Sequence, residues 1–314
     1  MEKAAVIILN WNKKDLTHET AESLKVSDLT GFKMEIVIVD NGSTDGSQAF
    51  FKDYVKNERK KQVENLSWKV IENLENWGFA KGNNVGMQYA LDNGFDYIFL
   101  LNDDTLVERS CIKNLVNFAQ KRKGLGAVAP KIYFAPGYEF HKSRYRKKDV
   151  GKVIWYAGGD IDWDNVYGTN HGVDEVDCGQ FEKIVDTDFA TGCCVLYTKE
   201  ALTTVGLFDE RYYLYLEDAD MSQRLKRHGF KVLYYPGATL WHKVAQSSGI
   251  GSDLNDYFIT RNRMLFGMSF AKLRTKFALI RESLRFLFSG RKWQKTAIRD
   301  YYLGNFGKGS WGKK

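Results

Sequence analysis

Short apolar runs alternate with helical periodicity along the first 134 residues. Runs at 4–10 (AAVIILN), 34–40 (MEIVIVD), 68–73 (WKVIEN), 97–101 (YIFLL) and 126–134 (GAVAPKIYF) predict five strands. Helical stretches between them reach about Lys25, start at Ser47, run through 78–94 and cover 111–122. This alternation predicts an α/β chain with a mostly parallel sheet and helices on both faces. From 136 to 186 the pattern breaks into Gly, Asp, Trp and Tyr with a basic run, HKSRYRKKD, which predicts inserted loops and short antiparallel strands. Order returns with a strand at 193–197, a short helix from Lys199, a helix from about 218 to 228 and a strand at 231–235. From Asp256 onward the pattern is helical, and no segment repeats. The organisation expected is an α/β body at 1–255 and a basic helical tail at 256–314.

Ligands of open α/β sheets bind beyond the carboxyl ends of the strands. Three polar clusters should share that rim: Asn10-Trp11-Asn12, Asp40-Asn41-Gly42-Ser43 and Asn102-Asp103-Asp104. One such cluster is a turn, whereas three on one edge make a site. Carboxylates ending a buried strand suit Mg2+ or Mn2+, which take few protein ligands plus substrate phosphates. Asp104 is the better ligand, and Asn102, being neutral, orients a nucleotide through hydrogen bonds. Asp40 can accept the N3–H of a pyrimidine, or simply cap a helix together with Ser43 or Asp45. GFAKGNNVG (78–86) opens a helix whose amides are expected to approach phosphate or ribose, which makes Gly78, Lys81 and Asn84 candidates. It is neither a Walker loop nor a Rossmann fingerprint. Glu217 and Asp218 start a helix, as a base and its neighbour or as ordinary partners of the helix dipole. Asp220 and Arg224 are an i,i+4 surface pair. His242 follows a strand and a turn, as a structural ring or a metal ligand.

Composition narrows the classes. With 44% apolar residues and only 3 prolines among 314, the chain can build a large core without disordered linkers. Its 4 cysteines show no metal spacing and read as reduced, mostly buried thiols of a cytoplasmic protein. The apolar part of MEKAAVIILNWN is too short for a signal peptide, and no run reaches the ~18 residues of a spanning helix. Net charge is +7, unevenly spread: 256–314 holds 14 Lys/Arg against 3 Asp/Glu, and 1–255 holds 32 against 36. A tail of +11 on a body of −4 suggests contact with an anionic surface. Without a recognisable module, that charge does not make a nucleic-acid binder.

VIILNWN, VDNGSTDGS, NWGFAKGNNVG, LLNDDTLV, ATGCCVLYTKEALTTVGLFDERYYLYLEDADMSQRLKRHGF and WHKVAQSSG, in that order, resemble the family 2 glycosyltransferases, and most closely their rhamnosyltransferase-like branch. YFITRNRMLF, further on, is also similar. The resemblance implies a GT-A fold, an inverting mechanism, a nucleotide-diphosphate sugar donor and a divalent cation. Carried onto this chain, it implies that Asp40 contacts the base and that Asn102, Asp103 and Asp104 fill the D-x-D position. It also implies that Asp104 and His242 are metal ligands and Asp218 the base, with Glu217 beside it. Asn102 stands where many members have Asp, as is common in the branch. Asn10, Asn12, Asn41, Gly78, Lys81 and Asn84 are assigned to the nucleotide sugar. The branch points to dTDP-L-rhamnose ahead of UDP-sugars, and to a glycan, lipid-linked or protein acceptor.

A sugar-nucleotide nucleotidyltransferase would want a glycine-rich signature after the first strand, and LNWNKKDLT has only lysines. An inactive carbohydrate-binding scaffold is opposed by the intact Asp104, Asp218 and His242. In the tail, 275–293 places Phe277, Ile280, Leu284 and Leu287 at helical spacing among Arg281, Arg285, Arg291 and Lys292. Such a helix packs on the body, joins two copies in a homodimer, or lies on the inner face of a membrane.

Overall fold

In the computed structural model, which describes residues 1–244 and 252–312, the polypeptide begins with β1 (Glu2–Asn10), a strand whose residues Ala4–Ile8 are fully buried. A strand apolar on both faces needs helices on both sides, and the chain supplies them in turn. These are α1 (Lys14–Lys25), β2 (Phe32–Asp40), α2 (Ser47–Lys60), β3 (Leu66–Glu72), α3 (Gly78–Asp92) and β4 (Tyr97–Leu101). Next come β5 (Thr105–Val107), α4 (Cys111–Gln120) and β6 (Leu125–Phe134). α4 buries Cys111, Ile112, Leu115, Val116, Phe118 and Ala119, one continuous stripe at helical spacing.

The inserted segment holds β7 (Ile154–Tyr156), β8 (Gly159–Asp162), β9 (Tyr167–Asn170) and β10 (Val185–Asp186). All of its strand pairings are antiparallel, as its composition predicted. Then follow β11 (Cys194–Thr198), α5 (Lys199–Val205), α6 (Glu217–Arg227) and β12 (Lys231–His242). The tail comprises α7 (Asp253–Phe270), α8 (Leu273–Ser289) and α9 (Lys292–Tyr302).

The sheet order is β10-β12-β6-β11-β4-β1-β2-β3, with β5 added to β12 and β7 to β6. β4, β1, β2 and β3 are parallel, as are β6 and β12, while β11 lies antiparallel between β4 and β6. In register, Asn10 lies beside Asp40 and Leu101 beside Ile8, so the three polar clusters do share one rim.

Three expectations need correction. β12 continues past 235 to His242, because the Pro236-Gly237-Ala238 stretch that reads as a terminating turn is a bulge between Tyr235 and Thr239. Segment 275–293 is not one helix: α8 stops at Ser289 and α9 starts at Lys292. The boundary expected after 255 falls inside α7, whose Met264, Leu265 and Phe266 join the main core. Of motif WHKVAQSSG, residues 245–249 lie outside the described residues.

Glycines set how closely α3 approaches the sheet. A Cβ at Gly82 would come within 2.7 Å of Leu9, and one at Gly86 within 2.6 Å of Ile7. Gly78 has φ +80°, and a Cβ there would meet the Tyr213 ring at 2.4 Å. Gly94, at φ +70°, has open space around it. Gly94→Ala should therefore cost only the left-handed strain, about 1 kcal/mol, whereas Gly78→Ala should cost well beyond that. Thermal denaturation of the two variants checks the order, and equal melting temperatures would contradict the packing account.

Candidate active site

The DD turn is built before it is charged. Thr20 of α1 donates its hydroxyl to the carbonyls of Asp103 and Thr105 and accepts from the Thr105 amide at 3.1 Å. The Thr105 hydroxyl donates to the Asn102 carbonyl at 3.0 Å. β12 then pairs with β5 so that His242 lies opposite Thr105, and the Lys243 amide donates to the Asp104 carbonyl. His242 Nε2 comes to rest 2.9 Å from Asp104 Oδ1. Asp104 Oδ1 is buried, so the carboxylate oxygen and the ring nitrogen face one another inside the protein. Trp155 of the insertion packs edge-on against the His242 ring at 4.6 Å.

Lys13 supplies the local counter-charge, and sequence reasoning missed it. Its ammonium is 3.1 Å from Asp103 Oδ1 and 3.6 Å from Asp104 Oδ2. Burial pushes the Asp103 carboxyl up to about 6; Lys13 opposes this and the Asp104 charge adds to it. Burial acts on Asp104 as well, but His242 and Lys13 outweigh it and hold that carboxyl below its ordinary value. The signal available in the sequence was position alone, because Lys13 sits one turn before Thr17 and two before Thr20 at the start of α1. Asn102 is partly exposed beside these acids.

On the other side stand Glu217 and Asp218, the first residues of α6. Asp218 Oδ2 accepts from the Gly192 amide at 2.9 Å, and Oδ1 accepts from the Ala219 amide at 2.8 Å. Burial raises the Asp218 carboxyl, the two amides holding it back in part, yet the residue keeps some exposure. Glu217 is nearly sealed, its Oε2 has no hydrogen-bond partner, and burial followed by the Asp218 charge pushes its carboxyl well up. The loop at 190–193 joins the two halves: the Cys193 carbonyl accepts from the Asn102 amide at 2.9 Å while Gly192 holds Asp218.

The remaining candidates divide into those that face the rim and those that hold it. Asn10 is buried and bridges Asp40, Ser43 and Thr17. Asp40 is buried too, accepting from Asn10 at 2.7 Å and from the Ser43 amide at 2.9 Å. Asn41 ties Asn73, Asn76, Trp77 and Gly78 together. Asn84 points away from the strand ends and staples α3 to both backbone polar groups of Phe208. Asn12, at φ +55°, accepts from the Thr44 amide on the exposed rim. Lys81 sits over the Trp77 ring at 4.4 Å. The amides expected to cradle phosphate are already used: Gly78 donates to Asn76, and Phe79 and Ala80 donate to the Tyr213 carbonyl. Among the described residues no group of three or more His, Cys, Asp or Glu is arranged around a metal ion, so the chain offers the pair Asp104 and His242.

The segment leading into Glu217 is strained. Tyr213, Tyr215 and Leu216 have φ of 65°, 72° and 71°, a left-handed backbone that costs non-glycine residues about 1 kcal/mol or more each. It persists because its carbonyls are gripped from α7, another feature absent from sequence reasoning. Asn262 donates to the carbonyls of Tyr212, Leu214 and Tyr215, and Arg261 donates to those of Arg211 and Tyr212.

The model of the family described as "Glycosyl transferase family 2" matches residues 5–206. An N-acetylglucosaminyl-diphospho-decaprenol L-rhamnosyltransferase of Mycobacterium tuberculosis is 26% identical over 219 residues, covering 69% of this chain and 68% of that protein. A poly-beta-1,6-N-acetyl-D-glucosamine synthase of Staphylococcus epidermidis is 23% identical over 251 residues, and the match spans 52% of its length. Among solved structures, GalNAc-T7 with UDP, GalNAc and Mn2+ superposes at a TM-score of 0.61 and 15% identity, covering 96% of this chain and 58% of that one. The Pyrobaculum calidifontis mannosyltransferase PcManGT, with GDP-Man and Mn2+, gives 0.53 at 14% identity, covering 99% and 88%. These two likenesses establish the GT-A fold, and with the family model spanning most of the sheet and its rim, the chain belongs to glycosyl transferase family 2.

Proposed function

We propose that the chain is an inverting, metal-dependent transferase that moves a sugar from a nucleotide diphosphate to a hydroxyl of a glycan or lipid-linked acceptor. The observation that carries this reading is the 190–193 loop, which sets Asp218 on one side and the Asn102-Asp103-Asp104 turn on the other. A single displacement at the anomeric carbon needs this division, with the base on one face and leaving-group stabilisation on the other.

Asp104 and His242 would hold Mg2+ or Mn2+. A buried carboxylate oxygen 2.9 Å from a ring nitrogen fits a ligand pair whose remaining positions go to water and phosphate oxygens. When bound, the ion supplies counter-charge for the departing diphosphate. Asp218 accepts the acceptor's hydroxyl proton as that oxygen bonds to the anomeric carbon. The bond from that carbon to the diphosphate oxygen breaks, and its electron pair leaves with the diphosphate. Glu217 is nearly sealed, and burial pushes its carboxyl up, so it is less suited than the partly exposed Asp218 to meet the acceptor hydroxyl. Asn12, Lys81 and Asn102 face the nucleotide sugar, with Asp103 and Asp40 lining the rim, while Asn10, Asn41 and Gly78 keep the strand ends in place and Asn84 fastens α3 to Phe208. dTDP-L-rhamnose leads the donor candidates, supported by the mycobacterial relative, with UDP-sugars behind it. The reading puts the chain in the cytoplasm.

Membrane contact belongs to the same proposal. No helix among the described residues is long and apolar enough to cross a membrane. α8 turns Thr275, Leu279 and Ser283 inward, and it leaves Leu273, Phe277, Leu284 and Phe288 exposed with Arg281 and Arg285. Arg291, expected among the lipid-facing charges, instead pairs with Asp256 of α7. An apolar ridge flanked by arginines suits an anionic membrane surface near a lipid-linked acceptor.

Asp104→Ala, or EDTA on the wild type, should cut transfer by about 10²-fold or more, and His242→Ala by roughly tenfold. A nucleotide-sugar panel assayed with and without Mn2+ measures this, and full turnover in EDTA would remove the metal from the reading.

Asp218→Asn should keep donor binding while kcat falls by ~10²-fold, and Glu217→Gln should cost less. Since burial raises the Asp218 carboxyl and the base must be ionised, kcat should fall as pH drops through a value above the ordinary ~3.9 of aspartate. That acid limb should vanish in Asp218→Asn. Near-normal turnover in this variant, with none in Glu217→Gln, would reverse the two roles.

Flotation with liposomes should require anionic lipid, weaken with salt and be lost in Phe277→Ser/Phe288→Ser. Equal flotation on neutral vesicles would argue for a different partner of this face.

A further inference from the structure

Asp218 is the second residue of α6, and the chain enters that helix through the 211–216 segment, which carries three left-handed non-glycine residues. Loops of this kind hold one conformation only where their surroundings over-determine it. The surroundings here come from the tail. The Asn262 side chain is fully buried and shares its amide hydrogens among the carbonyls of Tyr212 (2.9 Å), Leu214 (2.7 Å) and Tyr215 (2.9 Å). Arg261 is fully buried beside it and donates from Nε to Asn262 Oδ1 at 3.1 Å, fixing which end of the amide faces the loop. The same guanidinium reaches the carbonyls of Arg211, Tyr212 and Gly307. Phe258, one turn earlier on α7, stacks on Tyr213 at 5.1 Å. The opposite side of the segment is held by α3, whose Phe79 and Ala80 amides donate to the Tyr213 carbonyl.

We infer that Arg261 and Asn262 are positioning residues for transfer: α7 clamps the segment that aims the Asp218 carboxylate at the acceptor hydroxyl. This rests on the reading of Asp218 as the base. Neither residue has a described contact with Asp104 or His242, so the clamp bears on the segment that enters α6 rather than on that pair. A misplacement of about 1 Å in a reacting group can cost ~10²-fold, so losing the clamp should register in kcat rather than in donor binding.

Asn262→Ala tests the clamp in the full-length chain, with Asn262→Ser as a milder variant that keeps one donor and leaves a smaller void if the alanine protein is unstable. Donor-site integrity is read by titrating UDP and dTDP with Mn2+, and turnover by kcat and KM for the best donor of the panel. The expected result is a kcat lower by about 10- to 100-fold for Ala and less for Ser, with nucleotide affinity and donor KM within about twofold. In the Asp218→Asn background the same substitution should change the residual rate by less than about twofold, because its effect passes through the base. Parallel losses of nucleotide affinity and kcat, or an undiminished effect of Asn262→Ala on Asp218→Asn, would make the residues merely structural and overturn the inference. A normal kcat in Asn262→Ala beside a crippled Asp218→Asn sinks the clamp alone. Near-normal turnover in Asp218→Asn sinks the base reading itself.

Discussion

The antiparallel direction of β11 is the constraint on which the site depends. Strands parallel to β4 end at the ligand rim, so an inserted parallel strand would begin at the far edge of the sheet. β11 runs the other way, with Cys194 beside Leu101, and the residues before it therefore arrive at the rim. From there the 190–193 loop bonds backbone to backbone with Asn102 and backbone to side chain with Asp218. Gly192 suits that passage, because a Cβ would press on Phe79 at 3.2 Å and reach toward Asp218 Oδ2. One reversed strand thus brings the two halves of the chain to a common edge.

Charge is the second constraint. Asp103, Asp104, Glu217 and Asp218 lie at least partly buried along this rim, and burial opposes the ionised form of each. The outcomes differ because the neighbours differ. Asp104 has His242 and Lys13 and is held below its ordinary value; Asp218 is raised by burial with backbone amides holding it back; Glu217 is raised by burial with the Asp218 and Asp220 charges adding to it. Four acids on one edge thereby differ in how readily each ionises, according to their local hydrogen bonding and charge.

Much of this was legible in the sequence, for reasons that also explain the remainder. Apolar runs of fixed length and helical stripes mark β1 to β4 and α1 to α4, since burial on both faces leaves a one-dimensional trace. The strand-end polar clusters followed from topology alone. Local signals misled at Pro236-Gly237, where pairing with β6 resumes across the bulge and carries His242 to Asp104. The glycines of 78–86 were read as a phosphate cradle, but their spacing of four reflects close packing of α3 on Ile7 and Leu9. Lys13 and Asn262 were missed because each acts on residues far along the chain, at separations of 90 and 50; Asn262 lies within YFITRNRMLF, a motif whose similarity carried no role for it.

The tail is where charge and packing part company. Its composition describes a basic surface, yet its most buried polar residues, Arg261 and Asn262, face inward to the loop before α6. The outward charges and the apolar ridge belong to α8, two elements closer to the C-terminus than β12. α9 packs against both α7 and α8, and the buried Asp300 of α9 bonds Tyr257 and Ser310, so the layers are fastened to one another. A surface force on α8 would reach α7 through these contacts, and α7 holds the carbonyls that precede Asp218. The exposed helix α8 and the helix that grips the carbonyls of 211–215 are thus neighbours in one packed layer. This gives a physical reason for a basic tail to be built onto the catalytic sheet rather than tethered by a linker.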